Sequence, residues 1–389
     1  SSNIASGYQA LFSNTTGDDN ATLGFQALAY NTTGNKNTAL GNYALFSNTT
    51  AHLNTAVGYA AGYSNTTGEV DAFGAYALFS NTTGVGNLGI GYKSLYANTT
   101  GNYNMGIGWE ANVSNTTGDR NTGIGYQALY SNTTGNDNNA VGYCALCSNT
   151  TGDYNVAFGG NALYSNTTGS QNVAFGYKPL FSNTTGSQNT AIGYGSLYKN
   201  TTGKRNIAMG YQALYNNTTG KFNTAMGYRA GYKNKTGSRN VFLGYQAGYN
   251  ETGSNKLYIA NGTGNSNRLI YGDFSTGNMT IGNGSGTINF SAGTVNTEEM
   301  RIGGEQAVTT SYVDGAVSYI ESIVGVSSKD STWAETSKNL LANRGSNDDS
   351  SSTSDQISAE ESRSCGSDIV SLGGCDRDQA MLYGNRSTG

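Results

Sequence analysis

Few residues in this chain have types and spacings that could do chemistry. Cys144 and Cys147 form a Cys-x-x-Cys pair, the spacing of a dithiol redox centre or half of a zinc site. That reading needs a second pair or a helix N-terminus, and here the two cysteines replace the Gln and Tyr of a recurring Gln-Ala-Leu-Tyr stretch, so structural substitution is expected. Cys365 and Cys375 are candidates for a disulfide in an extracellular protein. His52 is the only histidine, and no Ser-His-Asp set or His metal cluster can be built around it. The acidic residues Asp18, Asp19, Glu69, Asp119, Asp137 and Asp153 do not repeat as calcium-binding rungs would. The phosphate-loop pattern Gly-x-x-x-x-Gly-Lys-Ser/Thr is absent. The expectation is a protein that is not an enzyme and has no cofactor and no resident metal.

One pattern does recur. Asn-Thr-Thr-Gly starts at Asn14, Asn31, Asn65, Asn81, Asn98, Asn115, Asn132, Asn149, Asn166, Asn183, Asn200 and Asn217, with variants at Asn48, Asn234 and Asn250. Asn-Thr-Thr is an N-glycosylation sequon, so these fifteen asparagines are candidate acceptors along one line; the competing reading is turn chemistry alone. The step is 17 residues, except from Asn65 to Asn81 and from Asn234 to Asn250, where it is 16. A short, strict period is the mark of a solenoid in which each repeat is one rung.

An apolar residue precedes a Gly in almost every unit, as in Ile124-Gly125, Phe158-Gly159 and Ile192-Gly193, and Leu recurs four residues beyond the Gly, as at Leu129, Leu163 and Leu197. Seventeen residues are too few for two helices and suit two short strands joined by two tight turns, one of them Asn-Thr-Thr-Gly. The expectation is that Ile124, Ile192 and Leu129 point inward while Asn132, Thr133 and Thr134 are exposed. Ladders of like residues, Asn on Asn and Tyr on Tyr, should link the rungs. The residue missing between Gly68 and Phe73 should shorten only a turn and leave Val57, Phe73 and Ile90 aligned.

The run Asn189-Thr190-Ala191-Ile192-Gly193-Tyr194 resembles the Ala-Ile-Gly rung motif of YadA-like trimeric adhesin heads, and similar repeats occur in phage tail fibres. The resemblance covers roughly residues 3–253, recurring in register. It implies a left-handed parallel β-roll and a homotrimer. The rung here is longer, and its Asn-Thr-Thr turn is nearly constant. From the residues themselves, a rung with only two or three inward apolar side chains makes a thin core, and rings such as Tyr126 and Tyr194 offer contacts to copies of the chain; an exposed aromatic ladder on a monomer is the alternative.

The expected fold class is therefore all-β: a parallel β-solenoid of 17-residue rungs, trimeric, with a short C-terminal coiled-coil or helical segment. Residues 1–253 are the solenoid and 254–305 a β-rich continuation of the shaft. Residues 306–326 form a short neck, where Val313, Val317, Ile320 and Val324 have coiled-coil spacing or line one amphipathic helix. Residues 327–389 are a Ser/Asp-rich linker and C-terminal segment. A formal net charge of −4 without a basic tract argues against nucleic acid. No run of about twenty apolar residues is present to span a membrane as a helix.

These features predict an extracellular fibre, on a cell surface or virion, that gives structure or adhesion. Its partners would be copies of itself in a trimer or filament, and surface glycans or a receptor. A viral tail fibre, or an ice- or glycan-binding solenoid using the regular Thr files, are the rivals.

Overall fold

A computed structural model describes residues 2–282 and two further short strands, Met300–Ile302 and Glu305–Ala307. Residues 2–253 form a parallel β-solenoid with one strand per rung, from β1 (Ile4–Ser6) to β15 (Val241–Leu243). Fifteen strands in parallel register make a rod about 70 Å long at the inter-strand spacing. The pairs Val57↔Phe73 and Phe73↔Ile90 stay in register across the short step. The deletion lies in the turn at Gly68-Glu69, just before the strand Val70–Phe73, as the sequence suggested.

Each rung has one strand of three or four residues, not two. The opposite side climbs by tight turns in which non-glycine residues alternate into the left-handed region, as at Gln127 (φ 52°), Leu129 (φ 53°) and Asp137 (φ 56°). Such residues each cost about 1–2 kcal/mol in isolation. Bonds between rungs hold them there: Leu129 N–H donates to Ala145 O at 3.0 Å and Asp137 N–H to Asp119 O at 3.0 Å.

The interior is narrower than the apolar columns suggest. Its apolar part consists of the strand-centre Ala file (Ala140, Ala157, Ala174, Ala191, Ala208), the facing Ala file and the Leu file (Leu129, Leu146, Leu163, Leu180, Leu197), all fully buried. The expected inward Ile file points outward, since strand side chains alternate between faces and Ala holds the inner place. Ile192 is 37% exposed and Phe158 40%. Ile124 is also only partly buried. Size explains the choice: a Cβ added to Gly106, which occupies the inner strand position, would already lie 3.2 Å from Leu95 Cγ. A large inner residue needs the facing Leu removed. Phe242 shows this, being fully buried where Gly231 and Gly248 stand in the Leu file.

One rung interrupts the apolar core. Asn112 replaces Leu, is fully buried, and donates to Met105 O at 3.1 Å while its Oδ1 has no partner. The core divides there into a cluster ending at Leu95 and another starting at Ala128.

Beyond the solenoid, β16 (Lys256–Ala260) continues the parallel sheet, and β17 (Arg268–Asp273) and β18 (Asn278–Ile281) then reverse direction. This hairpin closes the sheet with antiparallel strands. Lys256 and Asp273 pair across it, and the ammonium, with the Ser275 hydroxyl and N–H, holds the Asp273 carboxyl down at about 2. A depressed carboxyl stabilises above its unfolded value and loses that stabilisation as pH falls. Protection of the Tyr271 and Gly272 amides, taken relative to their intrinsic exchange rates, should therefore fall from about pH 4 down to about pH 2. Asp273→Asn should remove that part of the acid response.

Residues 305–307 pair antiparallel with 300–302. The rest of the neck, with Val313, Val317, Ile320 and Val324, and the segment 327–389, with Cys365 and Cys375, lie outside the described residues.

Candidate functional surface

Three polar ladders climb the rod. In the turn ladder, Asn132 Nδ2 donates to Asn115 Oδ1 at 2.9 Å and to Gly135 O at 3.0 Å, and Asn149 Nδ2 donates in turn to Asn132 Oδ1 at 2.8 Å. In the second, Asn121 Oδ1 accepts both the N–H and the Nδ2 of Asn138 at 3.1 Å, and Asn121 Nδ2 donates to Gly135 O at 2.7 Å. Both ladders are buried, so each amide bonds the next in place of water. The third runs at the surface and accepts backbone N–H groups through Asn35, His52, Asn102, Asp119, Asn136, Asp153, Ser170 and Ser187. That explains His52 and two of the acidic turn residues: His52 Nδ1 accepts from Asn35 N–H at 2.8 Å, and Asp119 and Asp153 do the same work.

This geometry corrects the exposed-turn expectation. Asn132 is fully buried, Thr133 is half-buried with its hydroxyl donating to Thr150 O at 3.1 Å, and Thr134 alone is exposed. It also bears on the sequons. Asn31, Asn48, Asn65, Asn81, Asn98, Asn115, Asn132, Asn149, Asn166, Asn183, Asn200, Asn217 and Asn234 are all buried, with the Nδ2 that a glycan would occupy already donating inside the turn. A sugar on that nitrogen would displace an amide hydrogen used in the ladder and would need room the interior lacks. Asn14 is partly exposed. Asn250 is exposed, outside the ladder, and Glu251 takes over its turn by accepting Gly253 N–H at 2.7 Å, Thr252 N–H at 3.0 Å and the Tyr258 hydroxyl at 2.6 Å. Burial pushes the Glu251 carboxyl up, but these three donors together hold it below its ordinary value. With Asn250 absent from the stack, Asn234 Oδ1 is left without a partner; Asn217 Oδ1 is also unpartnered, because Asn234 Nδ2 donates to Gly237 O.

Cys144 and Cys147 are free and buried. Burial, with Cys144 beside it, pushes the Cys147 thiol up to about 12, the opposite of a reactive thiolate. Among the described residues no group of three His, Cys, Asp or Glu is placed to hold a metal ion, and no helix is long and apolar enough to cross a membrane.

What the surface offers is a strand face and a ring-lined corner. The strand face carries Leu40, Phe73, Ile90, Phe158, Phe175, Ile192 and Met226, each between 37% and 42% exposed. The neighbouring outward strand file holds Thr38, Thr55, Asp71, Leu88, Met105, Thr122 and their successors, and Asp71 is the one charged residue among the outward positions of β1 to β15. The corner carries stacked rings, such as Tyr198–Tyr215–Tyr232–Tyr249 at 5.0 to 5.4 Å. Sequence reasoning named the rings; it missed the apolar outer strand face, whose signal was the small residue, Ala or Gly, held at the centre of most strands.

Ile124→Asp and Ala128→Asp separate the two faces. Ile124→Asp should change the stability of an isolated rod by about 1 kcal/mol or less, as a surface change. Ala128→Asp buries an unpaired charge at a fully closed site and should unfold its rungs. Denaturant melts of both variants check this.

No family model, curated protein or solved structure matches the chain.

Proposed function

We propose that this chain is a non-enzymatic structural rod of an extracellular fibre, and that its copies associate side by side and in parallel through the strand face. The observation that carries this reading is the nearly uncharged apolar file along the rod. A continuous exposed apolar surface of this length is what an interaction site presents, and isolated soluble chains rarely leave one open. Repetition supplies length and stiffness, and the interlocked amide ladders resist bending. A trimer is the arrangement that the likeness to YadA-like heads implies. The ladder asparagines act as structural bonds in this proposal, not as a glycan array. The aromatic corner and the exposed turns remain for adhesion to surface glycans or a receptor, and a virion fibre would use the same architecture. Light scattering on the intact protein at micromolar concentration tests the reading: a stable multimer is expected, and a stable folded monomer would overturn the assembly.

The exposed Thr file (Thr134, Thr151, Thr168, Thr185) favours a second reading, an ice- or glycan-binding face. It is weaker, since only one Thr per rung is exposed while its neighbour's hydroxyl is bonded to the next rung. Thermal-hysteresis activity would support it.

A further inference from the structure

The third, surface ladder fails at two successive steps, and the failure coincides with a concentration of cations. In this column each backbone N–H donates to the side chain one rung on: Asn102 to Asp119 Oδ1 at 2.7 Å, Asn136 to Asp153 Oδ1 at 2.7 Å, and Ser170 to Ser187 Oγ at 3.2 Å. The next two side chains in the column are Lys204 and Lys221, which carry no acceptor. The N–H groups of Ser187 and Lys204 accordingly have no partner among the described residues. The column resumes at Ser238, whose Oγ accepts from Lys221 N–H at 3.0 Å. It also lapses at His52 and Glu69, beside the shortened turn, but there the next side chains are Glu69 and Val85 and not cations.

Four cations surround the break. Lys204 and Lys221 occupy the column itself, one rung step or about 4.8 Å apart along the backbone. Arg205 and Arg239 occupy the next column, two steps apart, with Phe222 between them. The stacking is fixed by Phe222 N–H donating to Lys204 O at 3.1 Å and Arg239 N–H to Lys221 O at 2.9 Å. All four cations are exposed, as is Phe222, and the Arg205 guanidinium lies 5.3 Å from the Phe222 ring centroid. Arg205 Nε donates to Gln188 Oε1 at 2.7 Å, while the charged ends of Lys204, Lys221 and Arg239 meet no carboxylate or other acceptor among the described residues. No carboxylate lies nearby in the chain either: between Asp153 and Glu251 there are nine Lys and Arg and no Asp or Glu. The seventeen-residue step scatters these cations along the sequence, and only stacking collects them.

We infer that this turn edge binds an acidic polysaccharide bearing carboxylates, a polyuronate. Its carboxylates accept from the Ser187 and Lys204 N–H groups, in the role that Asp119 and Asp153 fill in other rungs. The flexible stems of Lys204 and Lys221 swing clear of that place and bring their ammonium groups to the bound anion. Arg205 and Arg239 add charge, and the Phe222 ring takes the C–H face of a sugar. A second copy of the chain fits less well, since acids on the same edge are already engaged, Asp119 and Asp153 in the ladder and Asp137 with Arg120. Nucleic acid also fits less well, since one ring gives no stack for successive bases. Such binding is the adhesive part of the proposed function given a place and a ligand class, and it rests on that reading.

Oligogalacturonate, titrated into the intact protein by calorimetry, tests this. Saturable binding that weakens as salt rises is expected, with none to neutral dextran. Lys221→Gln combined with Arg239→Gln should weaken it tenfold or more. Lys36→Gln, an exposed cation of the same edge in a distant rung, should leave it unchanged. Lys204→Ala removes one charge; Lys204→Ser removes it and also restores an acceptor to the ladder, so it should bind at least threefold more weakly than Lys204→Ala. Absence of saturable binding, undiminished binding by the double variant, equal binding by the two Lys204 variants, or tighter binding of oligothymidylate would each overturn the site. A fall in multimer mass in the double variant would overturn it too, by assigning the edge to a second copy. Binding of a neutral glycan alone would sink the site and leave the adhesive reading standing.

Discussion

Gly142→Ala should break the solenoid locally, at a cost of about 4 kcal/mol or more. Gly142 has φ +135°, a region closed to side chains, and an added Cβ would lie 2.6 Å from Gly159 O on the next rung. The obstruction is backbone, which cannot swing aside. Each rung also rests on the rung before it, so distortion at Gly142 strips Gly159 of its own register. Gly160→Ala is the matched control, since a Cβ there meets only ordinary contacts. A denaturant melt should show Gly142→Ala losing stability or unfolding in two steps, with Gly160→Ala close to the parent. Equal behaviour of the two would mean that close approach of the turn backbones does not set the stacking.

Asn121→Leu should be nearly as damaging, at about 3–5 kcal/mol, although it places an apolar residue in the interior. Asn121 Oδ1 accepts from the N–H and Nδ2 of Asn138, and its Nδ2 supplies Asn104 Oδ1 and Gly135 O. Leucine would leave the Asn138 N–H buried without a partner and would strip one bond each from Asn138 Nδ2, Asn104 Oδ1 and Gly135 O, which keep Gly152 O, the residue-121 N–H and Asn132 Nδ2. Val70, which occupies this file naturally, shows the condition for tolerance: its rung is one residue shorter in the turn, and Gly62 opens space beside it. Asn121→Asp keeps an acceptor but loses the Nδ2 donor and adds charge, so it should fall below the parent as well. Thermal melts and amide exchange at Asn138 check both.

The period, the parallel stacking and the Leu file could be read from the sequence because each is a statement about repetition. Which apolar file faces inward could not. Ile124 and Leu129 are equally apolar, and the choice depends on a cavity so narrow that Ala140 fills its strand side. The turn asparagines misled for a related reason: Asn, Thr and Gly are ordinary surface-turn residues, and only stacking at the rung spacing buries Asn132 against Asn115. The single strand per rung was hidden by Gln127 and Leu129, which adopt left-handed backbone that their side chains do not favour.

The central claim, that rods meet in parallel through the apolar strand face, is tested most directly by a thiol placed on that face. Ile192→Cys puts one at a 37% exposed outward position, while the native Cys144 and Cys147 are buried. Mild oxidation of the assembled variant should join copies through residue 192, seen as covalent multimers on a denaturing gel. Thr185→Cys, on the exposed turn, should remain a single chain under the same treatment. Cross-linking at residue 185 and none at residue 192 would contradict the account.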